Sequence, residues 1–245
     1  MRVVRIRDGR VFLEESVATP HGVTGKLLRD GFFKDITRLM LGLVSVRDSS
    51  LCLGPLELLR FGRATVTRTR VDWPIEGGLL TRVPGGRYRI EAAGGRLVAS
   101  LDGYAPRLPM PLYLAAQLPI HHLVTRLHLL RVRGREPEPG RVARSSDRLQ
   151  AAAIDAAFCL ALANLTGRRH RWRLFLGIAA GYHVACWSIS GRTLGGMVMK
   201  QRVVAIDGSR PSAGQAVVRL LALPIAWVRN RPNHDEIAAT EVIAG

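Results

Sequence analysis

Asp155 is the single charged residue between Leu149 and Thr166, and Leu174 to Gly191 carries no acid, arginine or lysine at all, with His183 near its middle. A carboxylate inside an apolar run must be protonated, paired or hydrated, because left alone in hydrocarbon it costs several kcal/mol. Arg219, within the apolar stretch Val217 to Val228, is the expected partner. Arg148 precedes Asp155 by seven positions, so in a helix the two share a face but are separated by about 10 Å along the axis. An arginine at the mouth of such a helix can extend its stem to the phosphate layer. Asp235 follows His234 and precedes the apolar tail Ile237 to Val242, which makes it a candidate second acid near the same mouth. Two chemistries fit these groups: an ion or proton site, and structural pairs that fix helix packing. For His183 the default is core packing with one nitrogen hydrogen-bonded.

Other chemistry finds no support. Gly25-Lys26 is followed by Leu27 and lacks the upstream glycine of a phosphate-binding loop. His121, His122 and His128 share one expected helix, but adjacent histidines point about 100° apart and no acid sits three or four residues away, so they are read as solvated or capping groups. Cys52, Cys159 and Cys186 are distant from one another and read as reduced, with no Cys/His spacing for zinc. Neither a Gly-x-Ser-x-Gly nor a paired-carboxylate constellation occurs. The chain is therefore expected to be no enzyme, with no metal, no cofactor and no catalytic residue to nominate.

The elements that must position these groups fall into two parts. Asp8-Gly9 between Val3 to Arg7 and Arg10 to Leu13 signals a hairpin, and Gly31 to Val44 places Phe32, Ile36, Leu39, Met40 and Leu43 at helical spacing. Glycine pairs at 77–78, 85–86 and 94–95 separate short segments, Leu79 to Val83, Arg87 to Glu91 and Arg96 to Leu101, expected to form an antiparallel meander. Leu112 to Val132 reads as a helix with a step at Pro119. The fold class is thus an α+β N-terminal domain over 1–130, then a polar linker over 131–147, then a small α-helical membrane domain over 148–245. Two spans are expected in that last part, 149–166 and 174–191, both at the short end of the range for a hydrocarbon core about 30 Å thick.

Composition bounds the function class. With 245 residues, 47% hydrophobic, and a net charge of +17 carried almost wholly by arginine, the chain is no disordered tail or disulfide scaffold. Aromatic residues make up only 6% and are scattered, which argues against nucleic acid as partner. The N-terminus lacks a secretory signal, since Glu14 and Glu15 stand where its apolar centre would be, so the N-terminal domain is expected in the cytoplasm. Flanking arginines agree with that side, while Arg168, Arg169, Arg171 and Arg173 in the loop between the spans oppose it.

The order of residues carries a resemblance. Arg148 to Asp155 (RLQAAAID) opens the first apolar segment, Ser190 to Gly196 (SGRTLGG) closes the second, and then come Arg202 to Gly208 (RVVAIDG), Arg219, and Asn233 to Val242 (NHDEIAATEV). This pattern, over about 145–245, resembles the RDD family of bacterial integral membrane proteins, named for one arginine and two aspartates that would here be Arg148, Asp155 and Asp235. Gly196 stands where a basic residue often follows in the family. The N-terminal part is not recognised, although its outline resembles the helix-grip folds that hold apolar ligands. The RDD resemblance implies a protein of the inner membrane with transport of an ion or small molecule, or its regulation, as the suggested role. The lipid bilayer is then the partner, with an ion or small apolar ligand beside it and room for a homo-oligomer. The alternative is a soluble or peripheral protein that binds an apolar ligand such as a lipid in its N-terminal α+β domain.

Overall fold

The computed structural model describes residues 2–40, 42–165, 171–229 and 233–245. The chain divides into two compact units, Met1–Gly134 and Arg135–Gly245.

In the first unit, β1 (Arg2–Arg7) and β2 (Arg10–Ala18) form the expected hairpin, turned by Asp8 and Gly9, both at positive φ. Helix α1 (Gly25–Leu39) begins six residues earlier than the periodicity predicts and stops before Val44, which lies in β3. The early start has two causes. The Thr24 hydroxyl caps the helix by accepting from Leu27 N at 3.3 Å. Gly25 also lets the helix approach the neighbouring backbone, where a methyl would overlap the carbonyl oxygens of Thr67 and Arg70. The strands β3 (Val44–Arg47), β4 (Ser50–Leu53), β5 (Leu56–Phe61), β6 (Thr65–Val66), β7 (Arg70–Gly77), β8 (Gly86–Ala93) and β9 (Arg96–Tyr104) come next. They complete a nine-stranded antiparallel sheet of order β1-β2-β9-β8-β7-β5-β4-β3, with β6 beside β7.

The expected strand at 79–83 is absent; that stretch contributes one bridge, Thr81 to Pro106, because Gly78 at positive φ ends β7 and Pro84 prevents a new strand from extending to Gly85. Beyond the sheet, α2 (Met110–Leu112) runs through a π-helical turn, Tyr113–Gln117, into α3 (Leu118–Arg133). One sheet face buries Val11, Leu13, Val71, Trp73, Ile75, Ile90, Leu97 and Leu101, and α1 lays Phe32 over it. The Phe32 ring lies 4.5 Å from Trp73 and 5.1 Å from Tyr88 between centroids. The histidines of α3 are not solvated. His128 is fully buried with Nδ1 3.0 Å from Asp35, and His122 lies 3.3 Å from Glu15, so their acids come from other elements rather than from the same helix.

In the second unit, α4 (Ser145–Leu165) and α5 (Arg171–Ile189) are followed by α6 (Leu194–Val198), β10 (Gln201–Ala205), α7 (Ala213–Arg229), α8 (Asn233–Ile237) and β11 (Thr240–Ala244). β10 and β11 pair antiparallel, with Val203 opposite Val242. The stretch 131–147, expected as a linker, is irregular over most of its length but is helical at both ends and pairs with β11 near its middle. Its first residues end α3, Ala143 N donates to Val242 O at 2.9 Å while Ala244 N donates to Arg141 O at 2.9 Å, and α4 has begun by Ser145.

Among the described residues one helix, α4, is long and apolar enough to cross a membrane, with mean hydropathy 1.3 and only 22% of the window buried. At 1.5 Å per residue it is about 31 Å long, the thickness of a hydrocarbon core. The second expected span forms α5 but falls short of that composition, since Arg171 and Arg173 open the helix and Tyr182 and His183 interrupt it. Thr166, Arg168 and Arg169 lie outside the described residues. Gly25→Ala is expected to weaken the first unit by roughly 1–3 kcal/mol, because overlap with two carbonyls cannot be relieved by rotating a side chain. Amide exchange should show it as a rise of about tenfold or more across α1.

Candidate functional site

The second unit gathers its ionisable residues round one pocket of about 570 Å³, lined by Arg148, Asp155, His183, Gln201, Arg219 and His234 among others. Arg148 is one turn into α4, Asp155 is midway along it, and His183 lies on α5. Arg219 comes from α7, and His234 and Asp235 from α8. The sequence-based site residues are therefore brought to one place, but their pairing differs from expectation. Arg219 does not meet Asp155; its Nη1 donates to Asp235 Oδ1 and, at 2.8 Å, to Thr240 Oγ1, while its guanidinium lies 5.0 Å from the centre of the Trp187 ring. Arg148 Nη2 donates to the other Asp235 oxygen at 2.5 Å and to His234 Nε2 at 3.3 Å. One carboxylate thus bridges two guanidiniums on different helices.

Asp155 is held by hydroxyl and amide donors instead. Its Oδ1 accepts from Tyr182 Oη at 2.9 Å and from Gly195 N at 2.8 Å. This joins α4 to α5 and α6, and it works only because Gly195 presses against the α4 backbone, where a side chain would collide with the Ala151 carbonyl. Oδ2 faces His183 Nε2 at 3.8 Å. His183 Nδ1 lies 2.8 Å from the Ala179 carbonyl and must donate to it, so in a neutral imidazole Nε2 carries a lone pair toward a carboxylate oxygen.

Tyr182, Thr240, Trp187 and Gln201 were not nominated from the sequence. Tyr182 adjoins His183 and Thr240 lies in the quoted tail, yet neither spacing nor residue type marks them; their role arises from tertiary contact alone. Thr193 caps α6 by accepting from Gly196 N at 3.0 Å, and a Cβ on Gly196 would lie 3.1 Å from the Gln201 carbonyl, so this segment has little space for the basic residue the family often carries there.

Residues 142–230 match the RDD family. Arg148, Asp155, His183 and Arg219 fall inside the match and Asp235 lies just beyond it, while residues 1–134 match no family model. No curated protein and no solved structure matches the chain. The RDD match marks this part as membrane-associated, in keeping with the one apolar helix of bilayer length.

Acid should dismantle the cluster in two stages. Burial, with Arg219 and Arg148 adding to it and outweighing the pull of Asp235, holds the His234 imidazole down at about 4. A group lowered on folding contributes stability that is complete above its unfolded value, near 6.5, and is lost as pH falls through the folded one. For Asp235 burial pushes upward, but Arg219 and Arg148 outweigh it and keep the carboxyl below its ordinary value of 3.8; its contribution persists to that point and disappears only below it. Thermal unfolding against pH should show a first decline between about 6.5 and 4 and a second at lower pH. Asp235→Asn should cost about 3–5 kcal/mol at neutral pH, by leaving two guanidiniums without their acid, and should abolish the second decline.

Proposed function

We propose that the Arg135–Gly245 unit is an integral part of the inner membrane, with residues 1–134 on the cytoplasmic side, and that it moves a proton or small ion through the pocket at Asp155. The observation that carries this reading is the opposition of Asp155 Oδ2 and His183 Nε2 midway along an apolar helix of bilayer length. Two acceptors facing each other in a pocket wall form a place where a proton or a small cation is stabilised, and intramembrane ionisable groups of this kind commonly line ion paths. The outward faces of α4 and α5 support the embedding, with Leu149, Leu160, Leu165, Trp172, Leu176 and Ile189 exposed.

Two measurements test the proposal. The full chain should remain in the membrane pellet after alkaline carbonate and leave it only with detergent; release by carbonate would refute the embedding. Asp155→Asn should accumulate to normal levels, because the amide oxygen still accepts from Tyr182 and Gly195, yet lose proton or cation flux in proteoliposomes. Unchanged flux would refute the path, and a collapse in protein level would make Asp155 a structural tie.

A second observation supports an additional role for the first unit. A cavity of about 150 Å³ lies between its sheet and helices, lined by Leu13, Phe32, Ile36, Leu101, Ile120 and other apolar groups, with Tyr104 and His121 at one corner. Burial, aided by neighbouring His122, holds His121 down at about 4, so the wall is uncharged at neutral pH. An apolar space of this size accommodates a molecule about as large as benzene, or the end of a longer chain. Toluene should shift the methyl resonances of Ile36 and Leu101 saturably, and Leu101→Phe should abolish the effect by filling the space. Shifts that persist in the filled variant would dismiss this role.

A further inference from the structure

Helix α7 has the polarity of a water-exposed surface helix reversed. It buries Gln215 and Arg219, at 0% and 3% exposure, and exposes Val217 and Leu221, at 41% and 71%. Ala213, Val217, Leu221 and Pro224 stand three or four positions apart and are all exposed, so they form one apolar stripe on the side away from the core. A helix facing water would present these sides the other way round. Between Ala213 and Pro224 the one charged side chain is Arg219, and it is directed inward to Asp235 and Thr240. The apolar stretch Ala213–Pro224 is about 18 Å long at 1.5 Å per residue, little more than half of a hydrocarbon core about 30 Å thick. It can enter a bilayer but is too short to cross one.

The path of the chain gives the direction. Arg210 Nη1 donates at 2.6 Å to the carbonyl of Ile189, the last residue of α5. Farther along, Arg219 lies over the ring of Trp187, and Leu220 and Leu223 pack on the same apolar cluster as Val184. Later residues of α7 thus meet earlier residues of α5, so α7 runs back along α5 from its end. The return is fixed as firmly. Gln215, in the first turn of α7, donates through Nε2 to the carbonyls of Ala238 and Ala239 at 3.0 and 3.3 Å. β11 then pairs with β10, whose Val203 N donates to Gly191 O at 2.7 Å, just past the end of α5. The chain therefore sets out at Ala213 and is back beside its starting point by Ala239.

Tyr182 and Asp155 tie α5 to α4, and α4 has the length of a bilayer. We infer that α7 and α8 form a re-entrant excursion: α7 enters the bilayer from the side on which α5 ends, lays Val217, Leu221 and Pro224 against the acyl chains of that one leaflet, and the chain leaves on the same side. The inference rests on the reading of α4 as a membrane-crossing helix, and it gives that unit a further element in the bilayer. At such depth a polar side chain is tolerated only where protein covers it, and Asp235 and Thr240 do this for Arg219. The stripe is uncharged and begins beside the exposed Ile189 of α5, which selects acyl chains over a polar protein surface as its partner.

The test uses the full chain in vesicles of phosphatidylcholine and phosphatidylglycerol. Nitroxide labels are placed through Ala213→Cys, Val217→Cys or Leu221→Cys in a chain that also carries Cys52→Ala, Cys159→Ala and Cys186→Ala. Collision with oxygen relative to a water-soluble nickel chelate should rise from Ala213→Cys through Val217→Cys to Leu221→Cys, with depth increasing by about 6 Å at each step. Ser209→Cys and Gly245→Cys should both react with an impermeant thiol reagent from the same side of sealed vesicles. Equal depth at the three labels describes a helix lying flat, nickel access at Leu221→Cys describes a stripe in water, and an immobilised label shielded from both colliders describes a protein partner. Each of these overturns the inference, as does reaction of Ser209→Cys and Gly245→Cys from opposite sides. If the chain without its native cysteines does not fold, benzoylphenylalanine in place of Leu221 in the otherwise native chain decides: light should join it to lipid, and crosslinking to protein alone, or to neither, overturns the inference. Alkaline carbonate separates this result from the crossing by α4. Retained protein with Leu221→Cys in water refutes the excursion and leaves the embedding standing, whereas release by carbonate with Leu221→Cys in lipid refutes the embedding and leaves α7 in the leaflet.

Discussion

The Asp235 carboxylate, shared between Arg219 and Arg148, is the interaction on which the second unit depends. Arg219 is almost wholly buried, and a buried guanidinium is tolerated only where an anion and further acceptors meet it. Asp235 supplies the anion, Thr240 an acceptor and Trp187 a ring face, so that α5, α7, α8 and β11 are bound to one charged group. Arg148 extends the same carboxylate to the first turn of α4. With these elements fixed, β10 pairs with β11 and the apolar cluster of Ala143, Trp187, Val203, Ala216 and Val242 closes behind them. The ion cluster sets geometry more than it adds net stability, since much of the attraction is offset by desolvation.

Asp155 is held by forces of a different kind. Its tie to Tyr182 and Gly195 uses neutral donors, and the remaining oxygen looks toward His183. Among the described residues no guanidinium depends on this carboxylate, whereas Asp235 carries two. The two aspartates thus hold different elements: Asp235 joins α4, α7 and α8, and Asp155 joins α4 to α5 and α6. In the first unit the histidines show the same discipline, as His122 and His128 reach acids on β2 and α1, whereas His121 faces an uncharged cavity wall.

Much of the fold was legible because it depends on local signals. Asp8-Gly9 marked a hairpin, the glycine pair at 94–95 marked the β8–β9 turn, and the ordered run that opens at Arg148 marked the stretch 142–230 that matches the RDD family. Legibility failed where distant contact decides. The strands β3 to β5 are only four to six residues long and follow directly on a helical periodicity that runs to Val44, and 141–143 looks like a linker until it lies beside β11. Within the site, residue type predicted that Asp155 would have partners but not which ones. Charge complementarity favoured Arg219, yet helix packing gave that arginine to Asp235, which arrives from a short helix that no periodicity announces. The second expected span forms the helix α5, whose apolar run is preceded by Arg171 and Arg173 and interrupted by Tyr182 and His183.

Asp235 and Arg219 act as one unit, and a double-mutant cycle of Asp235→Leu, Arg219→Met and the two together measures their coupling. Asp235→Leu leaves two guanidiniums without their acid and Arg219→Met leaves the carboxylate to Arg148 alone, whereas the pair of changes strands only the part-exposed Arg148. Asp235→Leu is expected to lose about 3–5 kcal/mol and Arg219→Met less, with the double variant more stable than Asp235→Leu and a coupling of at least about 2 kcal/mol. Additive losses, with the double variant the least stable of the three, would contradict it.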